Sequence, residues 1–126
     1  MLPNKLLFPR ALVLCGLGFD IAAAGNDPLD RIENYREYSP GLSSSGQPDA
    51  ELLKALKKAG FERVVFLAFS DDHGSIANED RIVKELGMDY AHIPVIWDAP
   101  SKNDYYAFAA VMSQAADRKT LVHCQV

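Results

Sequence analysis

Only two cysteines occur in the 126 residues, Cys15 and Cys124. Two thiols cannot build a zinc site of the multi-cysteine kind. Basic stripes are also absent: 13 Lys and Arg stand against 17 Asp and Glu, for a net charge of −4. With a sequence pI of about 5.3, the chain has no electrostatic footprint for nucleic acid. No apolar run reaches membrane-spanning length, since the stretch 11–19 is too short for a stable span. Internal repeats and long low-complexity tracts are missing as well. What is present is ordinary globular material, 48% hydrophobic and 24% charged. That suits one small domain with its own core.

The N-terminus has the pattern of a secretory signal. Lys5 and Arg10 form a positive region, 11–19 is the apolar segment, and Ala22, Ala23 and Ala24 suit cleavage near Ala24. Residues 1–24 are therefore expected to be a signal peptide that sends the protein to the periplasm or out of the cell. Asp20 is an unusual charge between the apolar segment and the cleavage site. Leu14 is larger than the residue that normally precedes a lipoprotein cysteine, which argues against lipidation of Cys15. Cleavage there leaves Cys124 as the lone thiol of the mature chain and rules out an internal disulfide.

Residues 25–41 are polar and carry turn signals at Asp27-Pro28 and Ser39-Pro40-Gly41, so they read as a linker. A short strand and turn follow in 42–48, with Pro48 expected at the first position of a helix. Leu52, Leu53, Leu56 and Ala59 recur at helical spacing through 49–59, and Gly60 is a stop. The β-branched and aromatic run 61–69 has the pattern of a buried parallel strand. Asp71, Asp72 and His73 fall in a polar loop better explained by solvation than by metal binding. A second helix is expected over 76–86, a strand over 88–95 and a loop over 96–102. A third helix follows, capped by Asn103 or Asp104 and running to about Asp117. Its inward face is expected to hold Tyr106, Phe108, Ala109, Val111 and Met112. The last strand is 119–124. This alternation predicts an α/β fold, a parallel sheet flanked by helices. Its functional loops would lie beyond the carboxyl ends of the strands. The Asp71-Asp72-His73 loop, the Trp97-Asp98 loop and the residues after Cys124 converge there.

Lys119-Thr120-Leu121-Val122-His123-Cys124 resembles the strand entering the phosphate-binding loop of cysteine-dependent phosphatases. Ser45-Gly46-Gln47-Pro48, Gly60-Phe61-Glu62-Arg63-Val64-Val65 and Tyr90-Ala91-His92-Ile93-Pro94-Val95 resemble the bacterial tyrosine and dual-specificity phosphatase-like branch. Residues 42–126 are thus identified as a partial phosphatase-like domain. The resemblance implies hydrolysis of phosphate monoesters through a cysteinyl-phosphate, with Cys124 as nucleophile and Asp98 as acid. His123, Gln125 and Val126 would form the start of the substrate-binding loop. Asp104 is a weaker acid candidate, better explained as a helix cap. No cofactor and no metal are implied, and the partner would be a phosphorylated protein or a small phosphate ester. The family's Arg should follow the Cys, but only Gln125 and Val126 stand there. A fragment lacking the closing loop and helices, with negligible turnover, is the expectation. A non-catalytic pseudophosphatase that binds an anion or partner and a rhodanese-like sulfurtransferase stay open as alternatives.

Overall fold

A computed structural model of the chain describes residues 26–71 and 73–126. The signal-peptide reading of 1–24 lies outside the described residues, as does Asp72. The described part holds a five-stranded sheet in the order β1-β2-β5-β3-β4, with β1 Arg36–Ser39, β2 Leu42–Ser45, β3 Arg63–Phe66, β4 Asp89–His92 and β5 Thr120–His123. The β2, β5, β3 and β4 strands run parallel, while β1 pairs antiparallel with β2 at the edge. Three helices complete it: α1 Ala50–Lys58, α2 Glu79–Glu85 and α3 Lys102–Ser113.

The expected α/β architecture is present, with one antiparallel strand added. Residues 26–41 are structured rather than a linker. A short 3-10 helix at Pro28–Arg31 buries Leu29, Ile32 joins the same core, and β1 follows. Strand β1 is exposed along its whole length, so no alternation of apolar and polar residues marks it. Its side chains tie to β2 by hydroxyl pairs, Tyr38 to Ser44 at 3.1 Å and, from just before the strand, Tyr35 to Ser43 at 3.2 Å.

Helix α1 forms as its spacing predicts, but its cap is Asp49, whose carboxylate accepts from Leu52 N at 2.8 Å. Pro48 therefore lies just outside the helix. Gly60, at φ 87°, provides the left-handed turn that ends it. Leu53, Leu56 and Val83 pack on Val64 and Leu121 to make the main core. That core fixes the α1 and α2 side of the sheet. Neighbouring strand residues point to opposite faces, so Arg63, next to Val64, projects to the other side. There it donates to the carbonyls of Val111 at 2.7 Å and Gln114 at 2.6 Å, and its Nε donates to Thr120 Oγ1 at 3.0 Å. Helix α3 thus lies on the second face.

Two helices differ from expectation. Helix α2 starts at Glu79, three residues later than the spacing suggested, because Asn78 takes a left-handed conformation at φ 59°. Helix α3 is capped by Ser101, with Asp104 completing a reciprocal capping box, and it ends at Ser113 rather than near Asp117. No residue of α3 is buried, and Tyr106, expected inward, is 63% exposed. The helix stops where Gln114 turns extended at ψ 120° and Ala115 takes a left-handed φ of 48°, and Arg63 gathers the carbonyls left free there.

Candidate active site

The carboxyl ends of the parallel strands form one row. Ser45, His123, Phe66 and His92 are register partners across β2, β5, β3 and β4. Three of these side chains stack: His123 on Phe66 at 4.8 Å and Phe66 on His92 at 4.9 Å, with planes within about 16° of parallel. Cys124 is the next residue after the central strand. The backbone amide of Leu67 donates to His123 O, and that of Cys124 to Ser45 O. These bonds hold the segment entering Cys124 between its two neighbouring strands.

Cys124 is partly buried, and its thiol donates to Val126 O at 2.9 Å. The carbonyl of Cys124 lies 3.0 Å from His123 Nδ1. Gln125 is tied at both ends, its carbonyl accepting from Gln47 N and its side chain donating to Ser75 Oγ at 3.3 Å. Gly46 lies under this segment. A Cβ there would meet the Gln125 carbonyl at 3.2 Å and Val126 Cα at 3.3 Å. The Ser45-Gly46-Gln47-Pro48 stretch therefore matters by close backbone approach to the residues after Cys124.

Cys124 opens onto two clefts. One, of about 500 Å³, is mostly apolar and includes Leu67, Phe69, Ile96, Trp97 and Val126. The other, of about 340 Å³, includes Arg36, Tyr38, Ser44 and Ser45. The structure thus brings the Trp97 loop to the cysteine. Residues 96–99 form a turn closed by Ala99 N to Ile96 O at 3.1 Å. Asp98 sits exposed on this turn, next to Trp97, and does not line the cleft. Asp104 is engaged by Ser101, whose backbone and hydroxyl hold its carboxyl below the usual carboxylate range. That bonding commits it to the helix cap. Asp71 and His73 are exposed, and no cluster of three metal-ligating side chains occurs among the described residues.

Sequence reasoning missed Arg36, which sits in the segment read as linker, and Glu79. The latter is buried at the start of α2. Its Oε1 accepts from Gln47 Nε2 at 2.9 Å and its Oε2 from the Tyr90 hydroxyl at 3.3 Å. His123 Nε2 lies 3.1 Å from Glu79 Oε1, but the approach is oblique and leaves that nitrogen without an aligned hydrogen bond. Desolvation first, then the Glu79 charge and its hydrogen bond, push the Tyr90 phenol well above its ordinary value.

Solved structures share this fold. The chain superposes on the DUF442 phosphatase-like protein of Shewanella putrefaciens CN-32 with a TM-score of 0.76 and 35% identity, covering 79% of this chain and 66% of that one. A second crystal structure of that protein gives 0.74 and 36%, covering 77% and 62%. A phosphatase-like protein of Neisseria meningitidis Z2491 aligns at 0.60 with 18% identity, over 68% of this chain and 63% of that one. Pseudomonas aeruginosa TpbA, solved in complex with phosphotyrosine, aligns at 0.59 with 20% identity, over 80% and 57%. These last two share the fold. No family model and no curated protein matches the chain. With the His-Cys at the end of the central strand, the chain belongs to the DUF442 phosphatase-like proteins. It spans 66% and 62% of the Shewanella chains it matches.

Proposed function

We propose that the chain handles phosphate monoesters, on a phosphorylated protein or a small ester, with Cys124 as the nucleophile. The observation that carries this reading is the position of Cys124, at the carboxyl end of the central parallel strand with two clefts at its side chain. In the forward step the Cys124 thiolate forms an S–P bond while the P–O bond to the leaving group breaks. Asp98, on the turn beside Trp97, gives its proton to the departing oxygen. Water then attacks phosphorus, the S–P bond breaks, and the Asp98 carboxylate takes the water proton. Gln125 and Val126 begin the loop that holds the phosphoryl oxygens, and His123 orients that loop's first turn.

The 126 residues contain no arginine after Cys124. A polypeptide limited to these residues would hold no loop-fixed cation at the phosphoryl oxygens, and such preorganised stabilisation is the largest catalytic contribution in sites of this kind. We expect a polypeptide of these 126 residues to react at Cys124 but to turn over negligibly. The test is incubation with p-nitrophenyl phosphate, following phosphate release and the mass of the Cys124 peptide. A phosphoryl adduct lost in Cys124→Ser, with negligible release, supports the reading. Sustained Cys124-dependent release refutes the low turnover. No adduct, together with a Cys124 persulfide formed from thiosulfate, assigns the domain to sulfur transfer instead.

One observation favours a second reading, anion binding without catalysis. Arg36 lines the same cleft as Cys124. Saturable phosphate binding that survives Cys124→Ser and is lost in Arg36→Ala would establish it. The export reading of residues 1–24 is tested by the N-terminal mass of the protein recovered from its native compartment.

A further inference from the structure

Beneath the cysteine lies a buried polar cluster in which the chemistry above assigns a role to His123 but none to Glu79. His123 is 1% exposed and Glu79 5% exposed, on separate elements, and they meet below the strand end. The donors and acceptors around them constrain where the protons sit. His123 Nδ1 faces the carbonyl of Cys124, which can only accept, so Nδ1 must carry a hydrogen. His123 Nε2 faces Glu79 Oε1. The same carboxyl group also faces two donors, the Gln47 amide and the Tyr90 hydroxyl. An ionised carboxylate, which only accepts, suits all three neighbours. The consistent assignment is a carboxylate on Glu79 and hydrogens on both nitrogens of His123.

Other groups around the pair leave this pattern intact. From α2, Asp80 and Lys84 line the cavity of about 500 Å³ that Glu79 borders, and from β4 come Tyr90 and His92. His92 is occupied elsewhere, its Nε2 within 2.6 Å of Ala68 O, and its ring is separated from His123 by Phe66. Tyr90 is held as a neutral phenol at ordinary pH by burial and by Glu79 itself. On the strand's own side the neighbour is Cys124. Glu79 is therefore the anion that directly faces the His123 ring among these groups.

We propose that Glu79 is a positioning residue for Cys124, acting through His123. Its carboxylate, an ion-pair contact 3.1 Å from Nε2 rather than an aligned hydrogen bond, favours a ring with hydrogens on both nitrogens, the one on Nδ1 aimed at the Cys124 carbonyl. That bond fixes the turn at which Cys124 leaves the strand. A charged imidazolium beside a thiol also favours its thiolate. The link to reactivity rests on the reading of Cys124 as the nucleophile, whereas the pair itself does not.

The test has two arms on the full chain. The first is the ¹⁵N spectrum of the His123 ring at neutral pH, in the wild type and in Glu79→Gln. Two ring hydrogens in the wild type, falling to one in Glu79→Gln, are expected. A wild-type ring with a single hydrogen, on either nitrogen, overturns the proposal, and this measurement needs no variant to fold. The second arm is the pH profile of Cys124 alkylation by iodoacetamide. Glu79→Gln is expected to slow alkylation at neutral pH on the order of tenfold and to move the profile to higher pH. The expected ring pattern with an unchanged alkylation profile also overturns the proposal. If both arms respond while no aryl phosphate reacts at Cys124, the phosphatase reading fails and the role of Glu79 stands.

Discussion

Arg63 is the main polar attachment of helix α3, and replacing it with methionine tests that statement. The guanidinium makes three hydrogen bonds to oxygen, to the carbonyls of Val111 and Gln114 and to Thr120 Oγ1, and a weak fourth from Nη2 to Met112 Sδ at 4.0 Å. It is 4% exposed, and burial, with Arg118 nearby, lowers its pKa from the ordinary guanidinium value. An arginine stays charged at neutral pH all the same. Bonds from a charged donor contribute about 1.5–3 kcal/mol each when buried. The two carbonyls belong to the exposed last turn of α3, where water can replace the lost donor. The lower end of that range applies to them, and methionine keeps most of the apolar stem. Three bonds at that lower end come to about 4.5 kcal/mol, and relief from burying the charge offsets part of it, so we expect Arg63→Met to cost about 3 kcal/mol in a urea titration. That is a large fraction of the stability of a small domain. Because no residue of α3 is buried, the loss should also be local. Amide exchange should accelerate in 102–114 beyond what the global change explains. Arg63→Lys, with one point charge in place of the planar fork, should recover only part of the loss. A cost under about 0.5 kcal/mol, the scale of an inert surface substitution, or α3 exchange that follows the global change alone, would refute the reasoning. The consequence reaches the site, because α3 follows directly from the turn that carries Trp97 and Asp98.

Gly46→Ala should destabilise the chain by about 1–3 kcal/mol, the cost of forcing a methyl group into a packed place. The neighbours it would meet are backbone atoms of Glu33, Gln125 and Val126, which cannot swing aside. Thermal melting checks the loss, and the rate of Cys124 labelling by a disulfide reagent checks whether the residues after the cysteine have moved. Tyr90 predicts a pH effect of definite sign. Its phenol is raised above the ordinary value of 10.0 in the folded state, so the folded chain holds that proton more tightly than the unfolded one. Its stabilisation is complete below about pH 10 and declines as pH rises further. The urea midpoint of the wild type should therefore fall more steeply than that of Tyr90→Phe between neutral pH and strongly alkaline solution, and equal slopes would contradict the burial of the phenol.

The parts of the fold that were legible in the sequence are those whose burial is written into consecutive residues. Val64, Val65 and Phe66 are all essentially unexposed, so β3 shows as an unbroken apolar and aromatic run. Leu52, Leu53 and Leu56 show α1 by their spacing. Strand β1 carries no such mark, because it is a polar edge held by tyrosine and serine hydroxyls. The inward face assigned to α3 is half-buried at Phe108, Ala109, Val111 and Met112 and was wrong at Tyr106, for a related reason. Aromatic residues at helical spacing imply burial only where a partner surface exists, and α3 is held mainly by Arg63 at its end. The site divides in the same way. His-Cys at the end of β5 is a local pattern and was legible. Glu79 was not, since a glutamate in a charged stretch reads as solvated. It is buried because Gln47 reaches it across 32 positions of sequence and because Tyr90 and His123 arrive on two different strands. The stretch containing Gly46 and Gln47 connects these two levels. Gly46 lets the backbone after Cys124 approach, and Gln47 bonds both that backbone and Glu79. The turn after β2 therefore supports the cysteine and the carboxylate beneath it at once, so a change in this turn should disturb both together.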